Sequence, residues 1–396
     1  MNNTNHADIE AIQHAIRAEH LDGWLFFDHH HRDALAYRVL KFEAVGSVSR
    51  RWYFFIPAEG KPRGLVHAIE THVLDRLPGE RAIYQNWQSQ REGLTRLIAG
   101  SRRIAMQYSP LCAIPYVSNV DAGTIELVRS TGADVVSSAD LIQQFEARWS
   151  AEQYEMHIEA GRLVDEVRRE AFAHIGQRLA NGAGIDEFAV KNFVREAFGR
   201  AGLTNDDGPI VAVNEHMSDP HYEPEAASSK PIRPGDAVLL DMWAKLRRER
   251  AVFYDITWTG YCGAAVPEAM AKLFGIVSGA RDRAVETVKA AVAGGEPLPA
   301  FRVDDAARSW ITEHGYGDYF VHRTGHSIGE DVHGAGANMD NFETHDERKV
   351  VAGTCFSIEP GVYLPEFGIR SEVNVYVGEN EARVTGEIQR EIVTIA

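Results

Sequence analysis

The chain has 396 residues, 44% of them hydrophobic and 25% charged, which is ordinary for a folded protein and too much chain for one typical core. A net charge of −16 argues against nucleic acid and anionic membranes, which recruit basic surfaces. Cys112, Cys262 and Cys355 form no Cys-x-x-Cys pair, so no zinc knuckle or redox motif is indicated, and reduced thiols fit a cytoplasmic protein. The polar opening Met1–Asp8 lacks the apolar core of a signal peptide, and no run approaches the roughly 20 apolar residues of a membrane helix.

In chain order, Ile9, Ile12, Ala15 and Ile16 make Asp8–His20 an amphipathic helix that Asp22-Gly23 ends. Trp24–Phe27, Trp52–Ile56, Gly64–His67, Arg103–Tyr108 and Ala133–Val136 read as strands, and Arg91–Ala99 and Val120–Arg129 as helices between them. This alternation predicts a mixed α/β domain over residues 1–148. His29, His30 and His31 follow the first strand. They have no acidic or thiol partners arranged around them, so they read as a loop rather than a metal site.

Ser150-Ala-Glu-Gln153 is a capping-box pattern that opens a long helix, stopped near Leu179 by Asn181-Gly182. A second helix spans Ile185–Ala201. Strands enter at Ile210–Val213 and Val238–Met242, helices at about Glu268–Ala293 and Val303–His314, and further strands close the chain. Helices flanking one antiparallel sheet predict an α+β domain over residues 149–396.

Five residues of this second domain carry the chemistry: Asp241, Asp255, His326, Glu359 and Glu372. The four acids sit in or beside apolar runs, in Val-Leu-Leu-Asp241, Val-Phe-Tyr-Asp255-Ile, Cys-Phe-Ser-Ile-Glu359 and Ile-Arg-Ser-Glu372-Val. Burying four carboxylates is costly unless a cation pairs with them, and two divalent ions are the simplest agent. Two bridging carboxylates would hold such ions about 3.5–4 Å apart. The hard, oxygen-rich donor set favours manganese, iron, cobalt or magnesium over a thiolate-type zinc site. Asp241 with Asp255, and Glu359 with Glu372, each share a hairpin-like pair of strands, which hints at two related halves.

The order Asp, Asp, His, Glu, Glu resembles the pita-bread metallopeptidases: methionine aminopeptidase, aminopeptidase P and prolidase. The resemblance rests on Leu-Leu-Asp241-Met-Trp, Tyr-Asp255-Ile-Thr-Trp-Thr, His322-Arg-Thr-Gly-His326-Ser-Ile-Gly-Glu-Asp-Val-His333-Gly, Ile-Glu359-Pro-Gly-Val-Tyr363 and Gly-Ile-Arg370-Ser-Glu372-Val. It covers about residues 150–396, and the first domain resembles the creatinase-type N-terminal domain of the same proteins.

The resemblance implies two divalent ions, foremost Mn2+, with Co2+, Zn2+ or Fe2+ as alternatives. Asp255 and Glu372 would bridge them, Asp241 would complete one shell, and His326 and Glu359 the other. Glu359 would take and return the proton of the attacking water. His322 and His333, four residues before and seven after His326, together with His221, resemble the proline-specific branch. There one histidine contacts the scissile carbonyl and another steadies the developing charge. His216 competes with His221 for that role. Arg370 would orient a metal carboxylate or meet the substrate, and Tyr363 matches a residue near the proton path. The implied activity is that of an Xaa-Pro dipeptidase or Xaa-Pro aminopeptidase acting on small peptides as a homodimer. In that branch the first domain reaches toward a partner subunit's active site, where the His29–His31 loop, with Asp28 and Arg32, could form a rim. A hydrolase or lyase of a small non-peptide metabolite is the alternative. A non-catalytic binding module is disfavoured, because relatives of that kind lack the ligands.

Three features depart from the family pattern. Asp241 and Asp255 lie 14 positions apart, and the extra residues fall in the basic stretch Ala244–Ala251, which leans over the site or forms a solvated turn. Trp258 stands where relatives carry Arg, and either shapes the pocket or packs in the core. Asn374 stands where relatives often carry an acid.

Overall fold

The computed structural model describes residues 8–44, 46–205 and 207–395. The chain divides between Glu146 and Ala147 into two compact units.

In the first unit, six strands form one mixed sheet: β1 (Gly23–Asp28), β2 (Trp52–Pro57), β3 (Arg63–His67), β4 (Glu80–Tyr84), β5 (Arg103–Met106) and β6 (Asp134–Ser137). Their order across the sheet is β4-β3-β2-β1-β5-β6. β2 runs antiparallel to β1 and β3, whereas β3–β4, β1–β5 and β5–β6 are parallel. Parallel neighbours need crossovers, and α1 (Ile9–Ala18), α2 (Ala34–Leu40), α3 (Trp87–Leu97) and α4 (Ala122–Arg129) lie in the connections or before the first strand. The central strands β1 and β2 are buried along their whole length, which explains why Gly-Trp-Leu-Phe-Phe-Asp and Trp-Tyr-Phe-Phe-Ile-Pro are nearly continuous apolar runs. β4, mostly exposed at the sheet edge, carries no such signal and was not anticipated.

The second unit begins beyond the short α5 (Ala139–Ile142) with α6 (Ala151–Ala180). The Ser150 side chain accepts the Gln153 N–H at 3.1 Å and the Gln153 side chain accepts the Ser150 N–H at 3.0 Å, satisfying two orphan donors at the helix start. α7 (Glu187–Arg200) follows, then β7 (Leu203–Thr204), β8 (Ile210–Val213), β9 (Ala237–Leu246) and β10 (Tyr254–Tyr261). α8 (Glu268–Gly294) and α9 (Phe301–Glu313) lead to β11 (Ser327–Ile328), β12 (Cys355–Ile358), β13 (Gly361–Tyr363), β14 (Gly368–Arg370), β15 (Val373–Val377), β16 (Ala382–Thr385) and β17 (Val393–Thr394).

These strands do not form the single sheet expected. β17-β10-β9-β7, with β8 also on β9, make one ladder; β11-β12-β15-β16 make another; β13 and β14 pair alone. The reason lies at the seam between β10 and β15. Asn374 donates its side-chain amide to the Asp255 carbonyl at 2.7 Å and accepts the Asp255 N–H at 3.2 Å. A side chain thus takes up backbone groups that a continuous ladder would have paired. Backbone bridges the seam where the Glu372 N–H reaches the Thr257 carbonyl at 3.3 Å.

Strand alternation sends β9 and β10 to two cores. Val238, Leu240, Met242, Ile256 and Trp258 pack toward α6 and α7. Ala237 and Leu239 pack with α8, α9 and the later strands. Gly161 lets α6 approach β10, since a Cβ there would lie 2.6 Å from the Tyr254 ring. Among the described residues, no helix is long and apolar enough to cross a membrane.

Candidate metal centre

Register builds the first half of the site. β9 and β10 pair antiparallel with Asp241 opposite Thr257 and Trp243 opposite Asp255. Opposed residues share a face, so Asp241, Asp255 and Thr257 emerge together on the face away from α6. Glu359 directly follows β12 and Glu372 directly precedes β15, and these strands are antiparallel partners with Ile358 opposite Val373. Both glutamates therefore leave one end of one strand pair, at the seam with β10.

There Asp255, His326 and Glu372 converge. Each is buried, and one ligand atom from each lies within 4.8 Å of the others. His326 Nε2 stands 3.5 Å from Asp255 Oδ2 and 3.4 Å from Glu359 Oε1. His326 Nδ1 lies 3.1 Å from the Ser327 carbonyl, which can only accept. That contact assigns the proton to Nδ1 in the neutral ring and turns the Nε2 lone pair toward two carboxylates. Such an arrangement needs a cation. Asp255 Oδ1 and Glu372 Oε1 are likewise buried with no hydrogen-bond partner, as is expected of oxygens reserved for a metal. The donor set is hard, and the residues present fit divalent ions.

Asp241 is placed differently. It pairs with Arg370 Nη2, while Arg370 Nε donates to Thr257 Oγ1 at 3.0 Å and Thr257 Oγ1 donates to Glu372 Oε2 at 2.8 Å. Arg370 and Thr257 thus tie Asp241 to Glu372. Glu359 is the more open member, its side chain 15% exposed, and its Oε1 accepts from Ser357 Oγ at 3.0 Å.

The electrostatics follow from burial and from four like charges. Burial first, then the neighbouring Asp255 and Glu359, overcome Arg370 and push Asp241 up to about 7. Burial also raises Asp255 and Glu372, the latter well above the carboxylate range with the other acids adding to it. Burial works against ionised Glu359, but His326, His322 and Arg370 outweigh it and lower its pKa. Burial likewise opposes a charged His326, yet Asp255 and Glu359 raise its pKa.

The flanking histidines separate. His322 is driven down to about 4 by burial. Its Nδ1 lies 2.6 Å from the Arg323 carbonyl, so the neutral ring presents Nε2 as an acceptor for the Tyr363 hydroxyl at 2.7 Å. Tyr363 Oη in turn accepts from Arg370 Nη1 at 3.3 Å. His333 stands edge-on to His326, with ring centroids 4.4 Å apart. The surrounding protein and then the His326 charge lower its pKa. His221 is exposed and is not drawn into the cluster, although it lies near enough for its charge to bear on His333. His216 is committed elsewhere: its Nδ1 meets buried Glu187 at 2.9 Å and its ring lies against Tyr222.

The departures from the family pattern also find places. Trp258 belongs to the core beneath α6, with the Arg168 guanidinium 3.4 Å above its ring, and does not face the cluster. Arg247–Arg250 form an exposed turn, where Arg248 pairs with Glu159 and Arg250 with Glu330. Asn374 holds the backbone of Asp255, a task no ionised acid can share because it cannot donate. Thr257 and Ser357 were assigned no role from the sequence. The signal was present for Thr257, two positions after Asp255 and so on its face, whereas nothing local marks Ser357.

Comparison with known proteins places this architecture. The chain is 34% identical over 184 residues to an Xaa-Pro dipeptidase of Pyrococcus furiosus, a stretch covering 46% of this chain and 48% of that one. It is 29% identical over 265 residues to the uncharacterized peptidase YqhT of Bacillus subtilis, covering 66% and 69% respectively. The match thus spans about half the length of the curated Xaa-Pro dipeptidase. Among solved structures, dipeptidase PepE of Mycobacterium ulcerans superposes with a TM-score of 0.70 at 24% identity over 100% of this chain and 99% of that one. The prolidase of Thermococcus sibiricus gives 0.62 at 23% identity over 98% of each. At these identities the structures speak for the fold, an α+β pita-bread architecture preceded by a smaller α/β portion. The model of metallopeptidase family M24 matches residues 155–379, more than half of the sequence, and the chain belongs to that family.

Proposed function

We propose that this chain is a dinuclear-metal-dependent exopeptidase that hydrolyses the Xaa-Pro bond of small peptides. One observation carries the reading: two buried, unpartnered carboxylate oxygens and an imidazole lone pair turned on one point. The similarity to Xaa-Pro dipeptidases supports the choice of substrate.

In this reading Asp241, Asp255, His326, Glu359 and Glu372 would together hold the two ions. When bound, the ions would polarise the scissile carbonyl and lower the pKa of the attacking water. Glu359, the most open acid and the one whose pKa is lowered, takes the proton of that water on a carboxylate oxygen. It then returns the proton to the leaving nitrogen. His333, near His326 and exposed, is positioned to donate to the carbonyl oxygen as negative charge grows there. His322 acts through Tyr363, whose hydroxyl it orients between itself and Arg370. Arg370 aims Asp241 and partly offsets the rise in its pKa that burial causes. His221, at the exposed edge, meets the peptide rather than the ions.

The test is hydrolysis of Ala-Pro, a longer Xaa-Pro-Xaa peptide and Ala-Ala by protein supplied with Mn2+ or Co2+. Cleavage of Ala-Pro alone marks a dipeptidase, and cleavage of the longer peptide an aminopeptidase. Two equivalents of bound metal with no cleavage of any peptide overturns the proposal.

A further inference from the structure

The amino-terminal unit has a cavity of about 560 Å³ whose charge is opposite to that of the chain as a whole. Arg32, Arg50 and Arg51 line it, with His29 and His67 between them. Among the described residues none of the three guanidinium groups makes an ion pair, whereas the arginines of the second unit's cluster and surface turn do. The Arg50 side chain meets only the carbonyl and hydroxyl of Ser49, both neutral.

The nearby acids are already engaged. Asp121, the one carboxylate of the lining, caps α4 by accepting the Thr124 N–H at 2.9 Å and its hydroxyl at 2.8 Å. Glu70 accepts the N–H groups of Ser49 and Arg50 at 3.0 and 2.9 Å and the Ser49 hydroxyl.

Two helices start at the cavity. Asn86, Trp87 and Gln90 at the start of α3, and Asp121 and Thr124 at the start of α4, all line the cavity, and neither helix has an acid in its first turn. The positive end of α3, capped by the neutral Asn86, therefore faces it, whereas Asp121 offsets that of α4. Burial lowers the pKa of His29, and the charges of His30, Arg32 and Arg51 add to that against a bond with Ser49 that raises it. The wall is not wholly polar. Tyr84 and Trp87 contribute ring surface, and Trp87 is 66% exposed, unusual for so large an apolar group without a partner.

We propose that this cavity is a second ligand site, one that takes a small phosphate- or carboxylate-bearing molecule with a flat or apolar body. Planar guanidinium groups suit either oxyanion, bidentate where two N–H groups meet two oxygens. The volume lies within the range of small-ligand pockets. Trp87 and Tyr84 offer the face for the body of the ligand. The His29–Arg32 loop is built for this placement: the Asp28 carboxylate accepts the N–H groups of His31, Arg32 and Asp33 at 2.9, 2.7 and 3.0 Å, which winds the loop and fixes where Arg32 leaves it. All of its lining lies in the amino-terminal unit, and the proposal does not rest on the peptidase reading.

Calorimetric titration of the full metal-loaded chain at low salt tests it, with inorganic phosphate, citrate and adenosine monophosphate as probes and adenosine as the neutral control. At least one anion should bind saturably, adenosine should not, and added salt should weaken binding. Phosphate against citrate ranks the two headgroups. The double variant Arg50→Gln/Arg51→Gln should weaken binding at least about tenfold while metal content and peptide hydrolysis stay unchanged. Trp87→Phe should remove any ligand-induced change in tryptophan fluorescence. Absence of binding by all three anions overturns the proposal. So does equal binding by wild type and double variant, which would put the anion on the metal ions or elsewhere on the surface.

Discussion

The carboxylate cluster of the second unit and the arginine-lined cavity of the first carry opposite charge and handle it in opposite ways. The acids are buried, close to one another and partly unpartnered, so their charge must be neutralised by protons, by Arg370 or by metal. The three arginines stand exposed to water around an open cavity and need no partner to persist. Enclosure therefore makes the first site demand a ligand for its own stability, while solvation lets the second wait for one. Perturbing the first should cost stability and activity together. Perturbing the second should cost binding alone.

The largest effect expected is at Glu359. Glu359→Gln should keep the fold and lower turnover by about 10²–10⁴-fold, measured as kcat on an Xaa-Pro substrate. Retained turnover would overturn its assignment as the proton carrier.

Next is Arg370→Ala, which leaves Asp241 buried without its guanidinium. A loss of about 3–5 kcal/mol in metal-free protein is expected from denaturant unfolding, partly recovered when Mn2+ is added. An unchanged midpoint would mean that the pair is not what holds Asp241.

The pH dependence sharpens the contrast on the order of a few kcal/mol. Asp241, with a folded pKa of about 7 against 3.8, binds an extra proton in the folded state between those values. That raised folded pKa contributes a fall in metal-free stability as pH rises from about 4 to 7. Metal needs the ionised carboxylates, so the rise in Tm on adding Mn2+ should grow across the same window. Lowered from 6.5 to about 4, His157, His322 and His333 work the other way between those values, so the difference between metal-loaded and metal-free samples, not the absolute stability, carries the test. A Tm rise independent of pH would break this account.

Asn374→Asp replaces the amide that holds both backbone groups of Asp255 and adds a fifth acid at the seam. We expect a loss of about 1–3 kcal/mol and weaker metal retention on dialysis. Smallest of all, Arg51→Gln should change unfolding free energy by no more than about 0.5 kcal/mol, because the side chain is exposed and makes no ion pair among the described residues. A large loss there would make the cavity structural rather than a ligand site.

Legibility in the sequence follows the same division. Asp241 and Asp255 announced themselves because acids inside apolar β-runs are costly and local. Helix α6 was readable from its capping box, and its stop from Asn181, because capping is decided within a few residues. Trp258 was ambiguous in sequence, since alternation says that it opposes Asp255 only once the strand and its buried faces are known. The arginine cavity had no signature at all: its lining runs from Phe27 to Thr124 through three strands, two helices and the loops beside them, and exposed arginines look alike in a string of letters.

The amino-acid sequence alone thus determined the two-part α+β architecture and the family, because apolar periodicity and short motifs are properties of neighbouring residues. Only the tertiary structure decided which groups meet. It broke the expected single sheet at Asn374 so that two strand pairs could converge, gave Asp241 to Arg370, turned His326 Nε2 toward Asp255 and Glu359, and committed His322 to Tyr363. Such pairings join residues up to more than a hundred positions apart. Their energies depend on distance, burial and the direction of a proton, none of which is written in a local pattern.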